Sequence, residues 1–466
     1  MGCVVKVKFP SILLLPALLL NLAVFPFRAE AWGSFTLKDE KELGEKFNIL
    51  IRSRMPLVQD AEITGYVKSI VDRLTRAMPK QPFPFSVSVI RHNAVNAFAC
   101  PGGYIFVHTG LILAMDHEAE VAGVLAHEMA HVTQRHIASR IENSQIVSVL
   151  SVLGMLAGAL MGGSAASATV AGSMAAGQAA MLNYSRADER EADQVGMNYL
   201  AGAGYDPGGM VGAFRILSRR QWLLGSEVPT YLSTHPALTE RVKDMGIRVS
   251  RLPAPRAGDD TRFLRVQALV RARYGDPDPS AGAFAAQMQG KTRCMALTGM
   301  GILCSRRNRV KEAADYFDSA LTCSPNDELI VREAGAFHYL KGNKGLGSKL
   351  LRRAVEMNPE DTHALYYRAR DLEDAGRTGE ALDYARRVLR KEPEDPEVHE
   401  MLARMYGAER KMFEANLYMA YSALYANDKG KVLRFYDKAR ALASAAKDKQ
   451  SLESFDKKYK ERREFW

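Results

Sequence analysis

The sequence predicts an α+β protein, with a mostly helical domain built around a small sheet and then an α-helical repeat superhelix. Three observations predict this division. Apolar residues recur at helical spacing over 37–78, residues 85–112 alternate like short strands, and the last third repeats itself with Pro325, Pro359 and Pro393 in phase. At 466 residues the chain also exceeds one ordinary hydrophobic core.

The composition is that of a globular protein, with 47% hydrophobic and 25% charged residues. A formal net charge of +10 would suit an anionic partner. No compact basic and aromatic motif accompanies it, however, and scattered Lys and Arg residues are usually solvated. We therefore expect no nucleic-acid binding.

Residues 1–31 have the pattern of a cleavable signal peptide. Lys6 and Lys8 precede an apolar run over 11–27, and Ala-Glu-Ala at 29–31 supplies a small-x-small cleavage site. An uncleaved membrane anchor is the alternative. Pro10 precedes the apolar run and Pro16 and Pro26 interrupt it, which leaves it short of the ~20 residues that a span requires, so we expect export.

The predicted elements of the first domain follow in order. One or two amphipathic helices cover Leu37 to Met78, and "FSVSVI" (85–90) alternates like a strand. Residues 96–112 predict two short strands around a Pro-Gly-Gly turn, and a helix begins at about His117. A further helix is expected over 186–201.

Residues 143–185 carry no charged side chain and are rich in Ala, Gly and Ser. A membrane hairpin is one interpretation. The continuous apolar part, 146–160, is too short to cross ~30 Å of hydrocarbon as a helix, so we favour buried or lid-forming helices. Contact with a membrane surface stays open.

The domain boundary is predicted at the turn-rich, polar stretch 251–260, which follows a loop that leads into a helix after Pro236. We expect four parts along the chain: a signal peptide, a mostly helical domain with the small sheet, a linker with helices, and a repeat domain. Their ranges are 1–31, 32–253, 254–290 and 291–466.

The repeat has a period of 34 residues, and each unit contains two helix-length segments. Small residues hold one register where the two helices of a unit must approach closely: Gly301, Gly335, Ala369 and Ala403. The stretch resembles a tetratricopeptide (TPR) array, which stacks into a superhelix with a concave surface for protein segments. A rigid spacer is the alternative.

Four cysteines remain once the signal is removed: Cys100, Cys294, Cys304 and Cys323. An exported chain of this length with four cysteines has no dense disulfide framework, and we expect at most one bridge and mainly a packing role. Cys304 falls on a core-facing position of its repeat. Whether it pairs with Cys323 is left open.

The chemistry is concentrated in "HEMAH", residues 127–131. His127 and His131 lie four apart on one helix face and can bind one metal ion. Glu128 lies about a hundred degrees around the helix, where a general base can take a proton from water. Two neutral imidazoles and a carboxylate suit zinc, with the fourth position left for water.

A third ligand is expected from "SRADEREAD", where Glu189 and Asp193 share a helix face. Glu189 would bind the metal, and Asp193 would orient a ligand histidine from outside the coordination sphere. Glu191 faces away from this pair and is expected to be solvent-exposed. His136 is rotated away from the metal and is expected to have a structural role.

These motifs, with "NAFACPGG" before them and "STHP" after them, resemble the gluzincin superfamily that includes HtpX and the CAAX prenyl endopeptidase. With an export signal and a TPR tail, the mature chain is similar to its BepA-like periplasmic branch. The resemblance implies a zincin-type fold with one Zn2+ per chain. His127, His131 and Glu189 would then be the ligands and Glu128 the catalytic base.

The resemblance also implies that His235 of "STHP" can occupy the fourth zinc position and hold the enzyme inactive. From the residues alone, a histidine before Pro236 is equally consistent with a helix start. The strand around Asn96, Ala97 and Phe98 resembles the edge strand on which the family lays its substrate. A peptide added to a sheet edge gains main-chain hydrogen bonds independent of its sequence.

We therefore expect a periplasmic zinc endopeptidase that degrades misfolded or misassembled outer-membrane proteins and assists their assembly. Its TPR array would dock on those proteins or on the outer-membrane assembly machinery. The alternative is a chaperone or scaffold with a closed structural zinc site that includes His235. Glu128 favours the enzyme, because a closed site needs no base.

Overall fold

The computed structural model describes residues 35–143, 184–224, 231, 235–252, 258–341 and 343–465. The predicted signal peptide and nearly all of the uncharged 143–185 segment lie outside the described residues. Among the helices described, none is both long and apolar enough to cross a membrane.

Two amphipathic helices open the first domain, as predicted: α1 (Leu37–Arg54) and α2 (Ala61–Arg76). The α1 helix begins at a capping box in which Thr36 and Asp39 satisfy each other's backbone N–H groups. At α2 the Asp60 side chain accepts the N–H groups of residues 62 and 63. The buried stripe of α2 packs into the main core.

A three-stranded sheet follows: β1 (Ser86–Ile90), β2 (Ala97–Cys100) and β3 (Tyr104–His108). The strand order is β1-β3-β2, with β1 parallel and β2 antiparallel to β3. The Pro101–Gly103 turn joins β2 to β3, and φ is 80° at Gly102 and 85° at Gly103, which explains the two glycines. The strand β2 therefore forms one edge of the sheet.

Among the described residues of this part there are six more helices: α3 (Thr109–Ala114), α4 (Glu118–Thr133), α5 (His136–Asn143), α6 (Arg186–Gly202), α7 (Gly208–Leu224) and α8 (Leu238–Val249). Every residue of α4 from Glu120 to Val132 is buried. Glycines let its neighbours approach: a Cβ at Gly123 would lie 2.6 Å from Cα of Met210, and one at Gly196 would lie 3.1 Å from the backbone of Ala126. The α4 helix is thus the centre of the domain.

The α9 helix (Thr261–Tyr274) and the α10 helix (Pro277–Gln287) connect this domain to the repeats. Gln267 of α9 is buried, and its amide donates to the carbonyls of Ile112 (3.0 Å) and Met115 (2.7 Å). These bonds attach the connecting helix to the sheet domain.

Helix pairs of near-constant length follow with the predicted period. Small residues lie where the two helices of a pair contact each other. A Cβ at Gly301 would lie 3.0 Å from the Phe317 ring, and one at Gly335 would lie 3.1 Å from Cβ of Leu350. The helices are α11 (Arg293–Arg306), α12 (Val310–Cys323), α13 (Glu328–Lys341), α14 (Lys344–Met357), α15 (Thr362–Asp374), α16 (Thr378–Lys391), α17 (Pro396–Ala408), α18 (Met412–Tyr425), α19 (Lys429–Leu442) and α20 (Ala446–Arg463).

The first helix pair of the array contains a disulfide between Cys294 and Cys323. The expected packing role is therefore wrong for these two residues. Cys100 and Cys304 are free and buried, as packing predicts. Cys304 does not pair with Cys323, because it points into the core while Cys294 lies at the start of α11, beside the end of α12.

The last described residues return to the first helix of the domain. Glu394 accepts hydrogen bonds from Arg52 (2.6 Å) and Arg462 (2.9 Å), and Arg54 donates to the carbonyl of Phe465 (2.7 Å). The Phe465 side chain is buried in a cluster with aromatic and aliphatic residues of α1, the sheet and α5. The repeat array is thus held to the sheet domain at its far end.

Candidate metal centre

The α4 helix presents His127 and His131 side by side in the protein interior. Their Nε2 atoms are 3.0 Å apart, and both side chains are buried. The helical spacing alone produces this arrangement, because residues four apart lie one turn up on the same face.

Glu189 and His235 converge on the same point from two other segments. Glu189 lies in the first turn of α6, and its Oε1 is 3.4 Å from Nε2 of His131. The Nδ1 atom of His235 is 2.9 Å from the same Oε1 and 3.4 Å from Nε2 of His127. One ligand atom from each of the four residues lies within 4.8 Å of all the others.

This donor set fits a tetrahedral metal ion. An ion with bonds of ~2.0–2.1 Å separates neighbouring tetrahedral ligand atoms by roughly 3.3 Å. Four of the pairwise separations, 2.9–3.4 Å, bracket that value, and His127 Nε2 lies 3.7 Å from Oε2 of Glu189. Three imidazoles and a carboxylate, all at most 2% exposed, are the chemistry that zinc-type ions bind in proteins.

The charge states suit metal binding as well. Burial holds the pKa of His131 well below its ordinary value, so the ring is neutral at pH 7. Burial would raise the pKa of Glu189, but the neighbouring His235 and hydrogen bonds from His131 hold it well below its usual range. A neutral imidazole and an ionised carboxylate are the forms that coordinate a metal.

Asp193 lies behind His127, as the spacing in α6 predicts. Its Oδ1 is 3.1 Å from Nδ1 of His127, which leaves Nε2 free to face the metal position. Arg241 of α8 donates to both Asp193 oxygens, at 2.8 and 2.6 Å, and also contacts Oε2 of Glu189. Burial would raise the pKa of Asp193, but hydrogen bonds from Arg241 and His127 lower it.

Sequence reasoning missed Arg241. The signal that could have found it is the pair of buried carboxylates, because two such groups in an apolar interior require a cation between them. Two aromatic rings were also missed: Tyr184 stacks on His131 with centroids 3.7 Å apart, and Tyr231 stacks on His235 at 4.3 Å.

His136 lies behind His131 and outside the group of four. Its Nδ1 is 2.8 Å from Nδ1 of His131, the nitrogen that faces away from the metal position, because α4 ends at Thr133 and the chain turns back at Arg135, where φ is 55°. Its Nε2 is 3.3 Å from Glu191. Glu191 is exposed, as predicted, and lies outside the group of four.

Glu128 lies beside this group and not within it. Its Oε1 is 3.4 Å from Nε2 of His235, so the His235 ring separates Glu128 from the ligand atoms. Burial raises the pKa of Glu128 above the ordinary value for glutamate. A buried carboxylate of raised basicity next to a metal position can act as a general base.

The predicted substrate strand lies at the sheet edge and against α4. Ala97 and Phe98 open β2, and Asn96 immediately precedes it. The backbone carbonyl of Asn96 accepts the N–H of His108, and its side chain is buried. The opposite edge of β2 pairs with no strand among the described residues.

The comparisons with known proteins agree with this geometry. Residues 60–248 match the model of peptidase family M48, and residues 362–405 match a tetratricopeptide repeat model. The first part of the chain is therefore similar to metallopeptidases of family M48, and part of the helical array after it is similar to tetratricopeptide repeats.

The relatives of this two-part chain include beta-barrel assembly-enhancing proteases. That of Escherichia coli K12 is 27% identical over 66% of this chain and 63% of its own length, and that of Yersinia pestis is 28% identical over 54% and 52%. A Vibrio cholerae relative named for the same role is 32% identical over 54% and 52%. The chain thus spans about half to two thirds of the length of these three relatives.

Proposed function

We propose that this chain is an exported zinc endopeptidase that acts on misassembled proteins of the outer membrane. The observation that carries the proposal is the buried convergence of His127, His131 and Glu189 with Glu128 beside them. We propose the same division of the chain as the sequence predicts: a signal peptide (1–31), a peptidase domain (32–253), a linker with helices (254–290) and a repeat domain (291–466).

His127, His131 and Glu189 would hold one Zn2+ ion per chain, and Asp193 would fix the ring of His127. Bound zinc lowers the pKa of water to about 7 and polarises a carbonyl group. Glu128 accepts a proton from the attacking water and donates it to the leaving amine. Its raised pKa suits both steps, because the protonated form must persist long enough to act as an acid.

His235 would regulate the reaction. Its Nδ1 is 2.9 Å from Oε1 of Glu189 and its Nε2 is 3.4 Å from Oε1 of Glu128, which supports a resting state in which His235 takes the fourth metal position and must withdraw before a substrate carbonyl approaches. The withdrawn imidazole can then donate a hydrogen bond to the developing oxyanion.

The substrate would lie as an extra strand along β2, at Asn96, Ala97 and Phe98. Main-chain pairing does not depend on sequence, which suits a peptidase that removes chains with exposed backbone. The names of the relatives support outer-membrane assembly as the setting. The Cys294–Cys323 disulfide supports an oxidising compartment such as the periplasm.

The TPR array would dock the enzyme on unfolded or misassembled outer-membrane proteins or on their assembly machinery. We include neither nucleic acid nor a membrane span in this proposal, and we leave open contact of the 143–185 segment with a membrane surface.

One observation, the position of His235 beside the other three ligand residues, favours a second function. If it remained on zinc, the site would be a closed four-ligand centre, and the chain would act as a chaperone or scaffold. Glu128 separates the two functions, since only the peptidase uses it.

The test measures zinc content and casein cleavage of residues 32–466. Glu128→Gln should retain one zinc per chain and lose cleavage, and His235→Ala should cleave faster than wild type. Glu45→Gln, on the exposed side of α1, is the matched control and should behave as wild type. Full casein cleavage by zinc-loaded Glu128→Gln would refute the peptidase mechanism, and zinc without cleavage in every variant would favour the scaffold.

A further inference from the structure

Arg241 is a fully surrounded cation in the interior of the domain. Only 3% of it is exposed, and arginine is rarely buried unless it is paired. It donates Nε and Nη2 to the two oxygens of Asp193, its Nη1 contacts Glu189, and its guanidinium lies 5.0 Å from the centre of the Phe214 ring. One side chain thus neutralises both buried carboxylates of α6.

The two oxygens of Glu189 have different neighbours. Oε1 faces the ring nitrogens of His131 and His235, at 3.4 and 2.9 Å. Oε2 faces Arg241. The guanidinium therefore leaves one oxygen of Glu189 directed at the metal position and occupies the other.

Through Asp193, the same guanidinium also reaches His127. Asp193 Oδ1 accepts from Arg241 and lies 3.1 Å from Nδ1 of His127. The orientations of a carboxylate and of an imidazole on opposite sides of the metal position thus depend on one cation.

Arg241 belongs to the segment that carries His235. Only Pro236 and Ala237 separate His235 from α8, and Ala237 has a left-handed backbone, φ 60°, which is unusual for a residue other than glycine. Arg241 lies in the first turns of α8. Its bonds to α6 therefore fasten the His235 segment to the helix that supplies Glu189.

We propose that Arg241 is a positioning residue of the metal centre: it fixes Glu189 and the Asp193–His127 pair for metal binding and anchors the segment that brings His235 to the fourth position. This inference rests on the proposed function, because it takes the four-residue group to be the zinc site. Arg241 touches neither substrate nor reacting atoms, so its effect is on the ligands alone.

The geometry requires the planar fork of arginine. A lysine ammonium in the same place is a compact charge on a flexible stem and cannot make parallel bonds to Asp193 while also touching Glu189. Removing a partner of a metal ligand typically weakens metal binding 10–100-fold. We expect Arg241→Met to weaken zinc binding by about 10–100-fold, with Arg241→Lys between Met and wild type.

The experiment measures metal binding without catalysis. The zinc dissociation constant of each folded variant is obtained by competition with a chelator, and the visible spectrum of the Co2+ form reports ligand geometry. Arg248→Met, an exposed arginine on the same helix, is the matched control. The His235→Ala spectrum shows what loss of the fourth ligand looks like, and the Arg241→Met spectrum should shift towards it.

A merely structural role would lower the unfolding temperature and leave zinc affinity and the Co2+ spectrum unchanged in the folded variant. Arg241→Met with zinc affinity within twofold of wild type and an unaltered spectrum would overturn the inference. If Arg241→Met does not fold, the same outcome for Arg241→Lys overturns it. Wild-type protein that binds no zinc would instead overturn the proposed function itself.

Discussion

Replacing Gly123 by alanine is expected to disturb the metal centre through the packing of α4 against α7. The new Cβ would lie 2.6 Å from Cα and 2.7 Å from the backbone nitrogen of Met210, on α7. Both are backbone atoms, which cannot rotate away as a side-chain tip can. One helix must therefore move, and α4 carries His127 one turn further on.

The magnitude follows from two opposing effects. Alanine is a better helix former than glycine by about 0.8–1 kcal/mol, whereas overpacking a core contact destabilises by about 1–3 kcal/mol. We expect a net loss of up to about 2 kcal/mol. Gly65→Ala is the matched control, since a Cβ on that helical glycine meets nothing within 4 Å and only the favourable effect remains.

The assay is denaturant unfolding of both variants in the inactive Glu128→Gln background, with zinc content measured on the folded protein. Gly123→Ala should unfold at lower denaturant and retain less zinc, while Gly65→Ala should unfold at the same or higher denaturant. If the two variants shifted in the same direction by the same amount, the close approach of α4 and α7 would not be a constraint, and the packing argument would be refuted.

Three further outcomes are expected. Replacing Cys294 and Cys323 by serine should destabilise the first helix pair by about 3–4 kcal/mol, from the closed loop of 29 residues, as measured by unfolding with and without reductant. Burial lowers the pKa of His108 to about 4, so the folded state resists protonation and stability should fall as pH drops from 6.5 to 4. His108→Phe should reduce the change in the unfolding midpoint over that interval, and the remainder should come from His363 and His399, whose pKa values burial also lowers to about 4. Asp193→Asn should weaken zinc binding about 10–100-fold in chelator competition, and an unchanged affinity would refute its role behind His127.

Periodicity predicted most of the fold. The helical spacing of 37–78, the alternation of 85–90 and the 34-residue repeat are local properties of the chain, and each became the element it predicts. The metal pair was predictable for the same reason, because His127 and His131 share a helix face whatever surrounds them.

The rest depended on contacts between distant segments. Arg241 meets Asp193 and Glu189 only when α8 packs on α6, and no spacing within either helix shows that. His136 reaches His131 because the chain reverses after α4, which a helical-wheel argument cannot show. The disulfide could have been predicted from the repeat pattern. Two antiparallel helices of one repeat bring the start of the first helix beside the end of the second, and Cys294 and Cys323 lie at those two places.

The return of Phe465 to the first helix has a consequence for biogenesis. The aromatic cluster beneath β2 includes Phe47, Phe98 and Phe106, all of which leave a ribosome or a translocation channel long before residue 465. Loop closure over more than four hundred residues is slow relative to local packing. We therefore expect Phe465 to join that cluster after the other aromatic residues have packed. The strand proposed to receive substrate thus acquires its full support only after the repeat array has been synthesised, and a partly synthesised chain would hold the sheet without Phe465 packed against it.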